Sequence, residues 1–241
     1  MGGSLENLLS TAGLAMISTG RRFSAARHVI PVLSWLALVL VPATLHAQEG
    51  APSGAEADQA PRWSYTVAAY GYFVPDSDYF TLPVVKADGE NLHLEGRYNY
   101  EARGAGSVFA GWTFHMGDEV SVDVTPMLGG VFGDLSGIAP GVELNLDYKG
   151  LNFYYEGEYV RDLNDEEGSF IYGWSELTYA PTEWFRAGLV GQRTRLYETD
   201  LDIQRGLLVG FSYRWLDVAG YFFNPGGGDD AFEVVSLSVR F

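Results

Sequence analysis

The chain contains no cysteine. A disulfide scaffold, a thiolate metal site and a cysteine nucleophile are therefore excluded. Charge is scarce: Asp, Glu, Lys and Arg make up 19% of the 241 residues, below the usual quarter or so. Basic charge is scarcer still, with 15 Lys and Arg against 31 Asp and Glu, a net charge of -16, and Lys86 and Lys149 as the only lysines. Nucleic acid is excluded as a partner, because it requires a basic face. Beyond residue 62 there is no apolar run of helical period. What is present is apolar and aromatic. Hydrophobic residues reach 47%, aromatics 15%, and there are 30 glycines. Such a chain is too apolar for disorder, and its mean hydropathy of -0.01 is too low for a bundle of membrane helices.

The first 62 residues stand apart. Arg21, Arg22, Arg27 and His28 precede an apolar run, Val29 to Leu45, which ends at the small residue Ala47. Basic, apolar, then small is the layout of a secretory signal peptide, so residues 1–47 are expected to be removed on export. Residues 48–62 (QEGAPSGAEADQAPR) carry no apolar period and read as a flexible periplasmic segment. Residues 1–47 hold three arginines and Glu6, so the remainder has 12 basic and 30 acidic residues, a net charge of -18.

Residues 63–241 alternate with a period of two. Leu92, Leu94, Gly96, Tyr98 and Tyr100 interleave with His93, Glu95, Arg97, Asn99 and Glu101. The pattern recurs at 120–125, 142–148, 151–159 and 206–215. Successive side chains of a strand point to opposite faces, so one face is apolar and the other densely polar. Segments of about ten residues with this alternation are the signature of a transmembrane β-barrel. Aromatics near segment ends, namely Trp63, Tyr100, Tyr148, Tyr159, Tyr179, Trp184 and Trp215, are expected to form interfacial girdles. Tight turns at 116–118, 148–150, 181–183 and 215–217 alternate with longer acidic loops. Eleven strands are plain. An up-and-down barrel with both termini on one side needs an even number, so 79–87 is expected to supply the twelfth despite Pro83. The expected fold is all-β, an antiparallel barrel over 63–241 of about twelve strands, with ten as the alternative.

The last segment, AFEVVSLSVRF, places Val235, Leu237, Val239 and Phe241 on one face and stops at the phenylalanine. This resembles the terminal strand of Gram-negative outer-membrane β-barrel proteins. The resemblance implies residence in the outer membrane, transit through the periplasm, recognition by the barrel-assembly machinery, and contact with outer-membrane lipid and lipopolysaccharide. The absence of cysteine suits such a route through an oxidising compartment. It points to no functional subfamily.

Charge on a lipid-facing position costs about 2–4 kcal/mol at mid-depth, so the charged face is expected to line the lumen. That face carries His93, Glu95, Arg97, Asn99, Glu101, His115, Asp123, Glu143, Asp147, Glu156, Glu158, Glu176 and Arg214. Arg186 and Arg193 have opposite parity, which a bulge would reconcile. Two roles stay open: a narrow pore favouring cations, or a structural barrel whose acids and arginines fill the interior. The alternative is an enzyme acting on lipid acyl chains, for which His93 and His115 would have to serve as base; both fall toward the periplasmic end, and no serine motif accompanies them. His93, His115 and Glu95 could approach one another, but His-x-Glu on a strand is common by chance, so no metal and no cofactor is expected.

Overall fold

The computed structural model describes residues 63–75, 79–196, 202–227 and 230–241. The expected signal peptide and flexible segment lie outside these residues. Thirteen strand segments form one sheet: β1 (Ser64–Phe73), β2 (Phe80–Asp88), β3 (Leu92–Tyr98), β4 (Ala105–Trp112), β5 (Phe114–Met116), β6 (Ser121–Gly133), β7 (Gly137–Tyr148), β8 (Leu151–Asp162), β9 (Phe170–Thr182), β10 (Phe185–Leu196), β11 (Asp202–Tyr213), β12 (Leu216–Phe223) and β13 (Phe232–Arg240). Neighbours in sequence pair antiparallel, except that β4 and β5 both pair with β6, and β1 pairs with β13, so the sheet closes on itself. Among the described residues one complete helical turn is present, the 3-10 turn Glu166–Gly168.

β4 and β5 are one strand interrupted. Gly111 pairs with Met127 and Phe114 with Val124 in the same register. The break at Trp112–Thr113 falls opposite Pro126, which has no N–H to donate. The result is a twelve-strand up-and-down barrel, as the parity of the chain requires. The twelfth strand, β2, tolerates Pro83 because the β2–β3 ladder ends at Val84↔Arg97. Pro83 itself is opposite Ala69 on β1 and lies just beyond the region paired with β3.

The outward face is apolar and exposed, as at Val67, Leu94, Val108, Leu128, Leu189 and Leu207. At the end carrying both termini it is ringed by aromatics. Trp184, Phe185 and Phe211 pack there with ring centroids 5.5–6.3 Å apart. Phe73, Tyr98, Phe132, Tyr159 and Phe222 are exposed toward the far end. Tyr100 is not among them. β3 ends at Tyr98, and Asn99 takes φ 59, a left-handed conformation that asparagine accepts more readily than most residues. The chain then folds inward, so Tyr100 leaves the outward face.

At the seam, Tyr65 donates its N–H to the Phe241 carbonyl at 2.8 Å, and Phe241 donates back to Tyr65 at 2.9 Å. The two rings stack at 5.9 Å. Between the β5–β6 and β7–β8 turns of the same end, Lys149 reaches Glu119 at 2.9 Å, and this hydrogen bond holds its ammonium above the usual lysine range.

Candidate functional site: the barrel interior

The interior has two halves. Toward the far end every strand except β3 and the short β5 contributes an apolar side chain, among them Tyr72, Leu82, Phe109, Val131, Ala139, Val160, Phe170, Leu208, Phe223 and Val234. Ala105, Ala139, Val160 and Val234 are 0% exposed, so no water-sized channel passes beside them. Aromatic rings join across this layer: Phe80 to Tyr72 at 4.8 Å, Tyr72 to Phe232 at 6.4 Å, Phe232 to Phe223 at 4.6 Å, and Phe223 to Trp174 at 5.5 Å. Such contacts add about 0.5–1.5 kcal/mol each beyond area burial.

The inward-folded loop 99–104 completes the closure. Glu101 and Ala102 are buried. The Tyr100 ring meets Tyr172 edge-on at 5.6 Å, and its hydroxyl donates to Glu156 at 2.9 Å. Arg103 lies over Phe80 at 4.6 Å.

Below this layer Arg97 organises the charges. Its side chain is fully buried, with the guanidinium 4.4 Å from the rings of both Tyr100 and Phe109. It reaches Glu156 at 2.9 Å, Glu158 at 3.1 Å, Glu95 at 3.0 Å and Glu101 at 3.8 Å. The register explains the meeting: Glu95 and Arg97 share the inward face of β3, while Glu156 and Glu158 share that of β8. Ser107 donates to Glu101 at 2.6 Å, and Tyr154 to Glu156 at 2.9 Å. Lys86 sits between Glu143 at 2.5 Å and Glu95 at 3.6 Å.

Toward the terminal end the interior opens into a cavity of about 240 Å³. Tyr70, Tyr154, Tyr221, Glu176 and the Arg186–Asp217 pair line it. Arg186 binds Asp217 in bidentate fashion, one contact being 2.8 Å. It lies across Gly210, where a Cβ would come 2.7 Å from the guanidinium carbon. Trp174 donates to Glu176 at 2.9 Å. Five carboxylates (Glu95, Glu101, Glu143, Glu156, Glu158) thus surround two cations, Arg97 and Lys86. Glu176 adds a sixth acid with no basic side chain at ion-pair distance among the described residues.

His93, Glu95, Arg97, Glu101, Glu156 and Glu158 are buried within the barrel, and Glu143, Asp123 and Glu176 are partly buried. Asp147 and His115 are exposed near the terminal rim. Asn99 sits in the inward loop, where its side chain accepts from Gly104 N–H at 2.9 Å. Arg214 departs from expectation. It occupies the β11–β12 turn at φ 56, exposed, with its guanidinium over Tyr213; the alternation of β11 ends one residue earlier. The opposite parity of Arg186 and Arg193 is real. The β9–β10 pairing is irregular between Phe185 and Ala187, but parity is unbroken from Arg186 to Gln192. Arg186 therefore faces in, and Arg193 is exposed on the outer face. The side chain of Arg195 is outside the described residues.

The two histidines do not meet. His93 lies 2.7 Å from Asp88 and 3.4 Å from Glu95, and His115 contacts Asp123 and the Glu90 carbonyl. Donor atoms of His93, Glu95 and Glu143 lie within 4.8 Å of one another. The Lys86 ammonium already contacts both carboxylates, at 3.6 and 2.5 Å, and its positive charge opposes a metal ion there.

A closed twelve-strand antiparallel barrel with an apolar exterior and a charged interior defines the class: an up-and-down β-barrel of the transmembrane type. Among solved structures the chain resembles the KdgM porin (TM-score 0.52, 9% identity, 74% of this chain and 98% of that one). It resembles the NanC porin similarly (TM-score 0.52, 15% identity, 73% and 98%). No family model and no curated protein matches the sequence. The likeness is therefore one of fold.

Proposed function

We propose that the chain is an outer-membrane barrel forming a narrow pore that favours cations, closed across its far half in this conformation. The terminal end faces the periplasm, and the loops of the far end face outward. The observation that carries the reading is the excess of interior carboxylates over bases. Unbalanced negative charge within low-dielectric walls raises the local concentration of cations and repels anions. The cavity gives cations a place to collect, and loop 99–104 is the part whose displacement would join it to the outside. Phe241 and the alternate apolar residues before it would serve the assembly machinery.

The measurement is conductance in planar bilayers across a salt gradient. Wild-type protein should conduct weakly, with a reversal potential of cationic sign. Glu156→Gln with Glu176→Gln should move that potential toward zero, and shortening loop 99–104 should raise conductance. A folded barrel that stays silent even with the loop shortened would eliminate the pore.

The dry far half favours a second reading, a structural barrel that never opens, and that silent outcome is its signature. Nothing favours the acyl hydrolase. Both histidines face carboxylates or a backbone carbonyl, and among the described residues neither is hydrogen-bonded to a serine or threonine hydroxyl. Both also lie toward the terminal end, away from the outer leaflet.

A further inference from the structure

The outer face carries almost no charge. Among the positions whose side chains are described, the outward face of the thirteen segments is charged only at Arg161, Arg193, Arg205 and Glu233. The three arginines are exposed and lie on β8, β10 and β11. In a chain of net charge -16, this grouping reverses the overall sign. Chance placement on a lipid-facing surface would be costly unless the residues lay at headgroup depth.

They do lie there. Nine residues separate Arg193 from Trp184 in the terminal-end girdle, eight separate Arg205 from Tyr213, and ten separate Arg161 from Leu151. At a rise of about 3.3 Å per residue and a tilt of about 40°, these spans are roughly 20–25 Å. The apolar band of such a barrel is about 25 Å tall. The guanidinium groups therefore reach the far edge of the hydrocarbon layer.

Their mutual spacing follows from register. Arg205 pairs with Gly191, two residues from Arg193, a diagonal separation of about 7–8 Å. Arg161 lies two strands away, beside Ser169, while Arg193 pairs with Gly173 on the same intervening strand. Strand spacing and rise put its backbone about 16 Å from that of Arg193. No carboxylate among the described residues forms an ion pair with any of the three. The neighbouring Asp162 is engaged instead with the backbone N–H groups of Asn164 and Asp165.

We propose that this face binds the bisphosphorylated headgroup of an outer-leaflet glycolipid, the lipid A portion of lipopolysaccharide. Arg193 and Arg205 together clamp one phosphate and Arg161 meets the second. Guanidinium pairs suit phosphate because they donate in a planar, two-pronged geometry. The assignment rests on the reading that the far end faces the outer leaflet, but not on any conductance. A silent barrel would carry the same patch.

The test is native mass spectrometry of the full folded chain in detergent with bisphosphoryl lipid A, monophosphoryl lipid A, dephosphorylated lipid A and phosphatidylglycerol. Bisphosphoryl lipid A should bind at least about tenfold more tightly than the dephosphorylated form. R193Q/R205Q should remove most of that preference. R161Q should selectively remove the advantage of two phosphates over one. R193K/R205K keeps the charge and should retain intermediate binding, which separates lost recognition from lost folding; heat-modifiable gel mobility reports folding for each variant. Equal binding of all four lipids, or unchanged preference in a folded R193Q/R205Q, overturns the proposal. Phosphatidylglycerol binding as tightly as bisphosphoryl lipid A overturns the two-phosphate assignment.

Discussion

Replacing Arg97 by methionine keeps much of the side-chain length and removes the one cation within 4 Å of Glu95, Glu101, Glu156 and Glu158 together. The guanidinium is fully buried, so water cannot stand in for it. Breaking a buried ion pair by deleting one partner costs about 3–5 kcal/mol. Loss of the contacts with the Tyr100 and Phe109 rings, each worth about 2 kcal/mol when desolvated, overlaps with that figure and does not simply add. A net destabilisation near 4 kcal/mol is expected. With a urea dependence of about 2 kcal/mol per molar, the midpoint should fall by about 2 M. The assay is urea unfolding in detergent, followed by tryptophan fluorescence and gel mobility. Adding Glu156→Gln and Glu158→Gln should restore about half of the loss, although neither helps when Arg97 is present. A midpoint within about 0.3 M of wild type, or a triple variant weaker than Arg97→Met alone, would refute the view that Arg97 holds mutually repelling acids together.

Other substitutions separate the parts of the barrel. Gly188→Ala would put a Cβ 2.0 Å from the Leu177 carbonyl oxygen, whereas at Gly210 the obstacle is the movable Arg186 guanidinium. The first should cost about 2–3 kcal/mol and the second under about 1 kcal/mol, read as unfolding midpoints. Leu189→Arg places a charge on the exposed apolar face and should destabilise by about 2–4 kcal/mol in lipid, whereas Arg193→Leu on the same strand should be tolerated. Deleting Phe241 removes both backbone hydrogen bonds to Tyr65. It should lower the yield of folded barrel in cells more than the yield of refolding from urea into detergent, if the residue also serves as an assembly signal.

The barrel was legible because alternation is a local property. Leu92 through Tyr98, Val142 through Tyr148 and Leu151 through Tyr159 display their two faces without reference to any partner. The inward position of the acids followed from the same parity. Two features were hidden. The departure of Tyr100 depends on the backbone reversal at Asn99, which period-two reading carried straight through; an asparagine followed within a few residues by Arg103–Gly104 was the available signal. The apolar far half was hidden because Tyr72 on β1, Tyr172 and Trp174 on β9, and Phe223 and Phe232 on β12 and β13 gather at one depth only after closure. Arg193 was ambiguous because an irregularity in pairing was assumed to reset parity, whereas the observed one lies before Ala187 and leaves the rest of β10 in phase.

The seam between β1 and β13 has a consequence for how the molecule is made. Ser64 and Arg240, whose side chains hydrogen-bond there, are 176 residues apart in sequence. Closing a ring through its most distant pair is slow, because the entropy of a long loop is lost before any contact repays it. Until the last strand arrives, the growing sheet has two open edges, each able to pair with another chain. The interval between synthesis and closure is the stage at which this protein is most exposed to aggregation, and the pairing of β13 with β1 is what ends it.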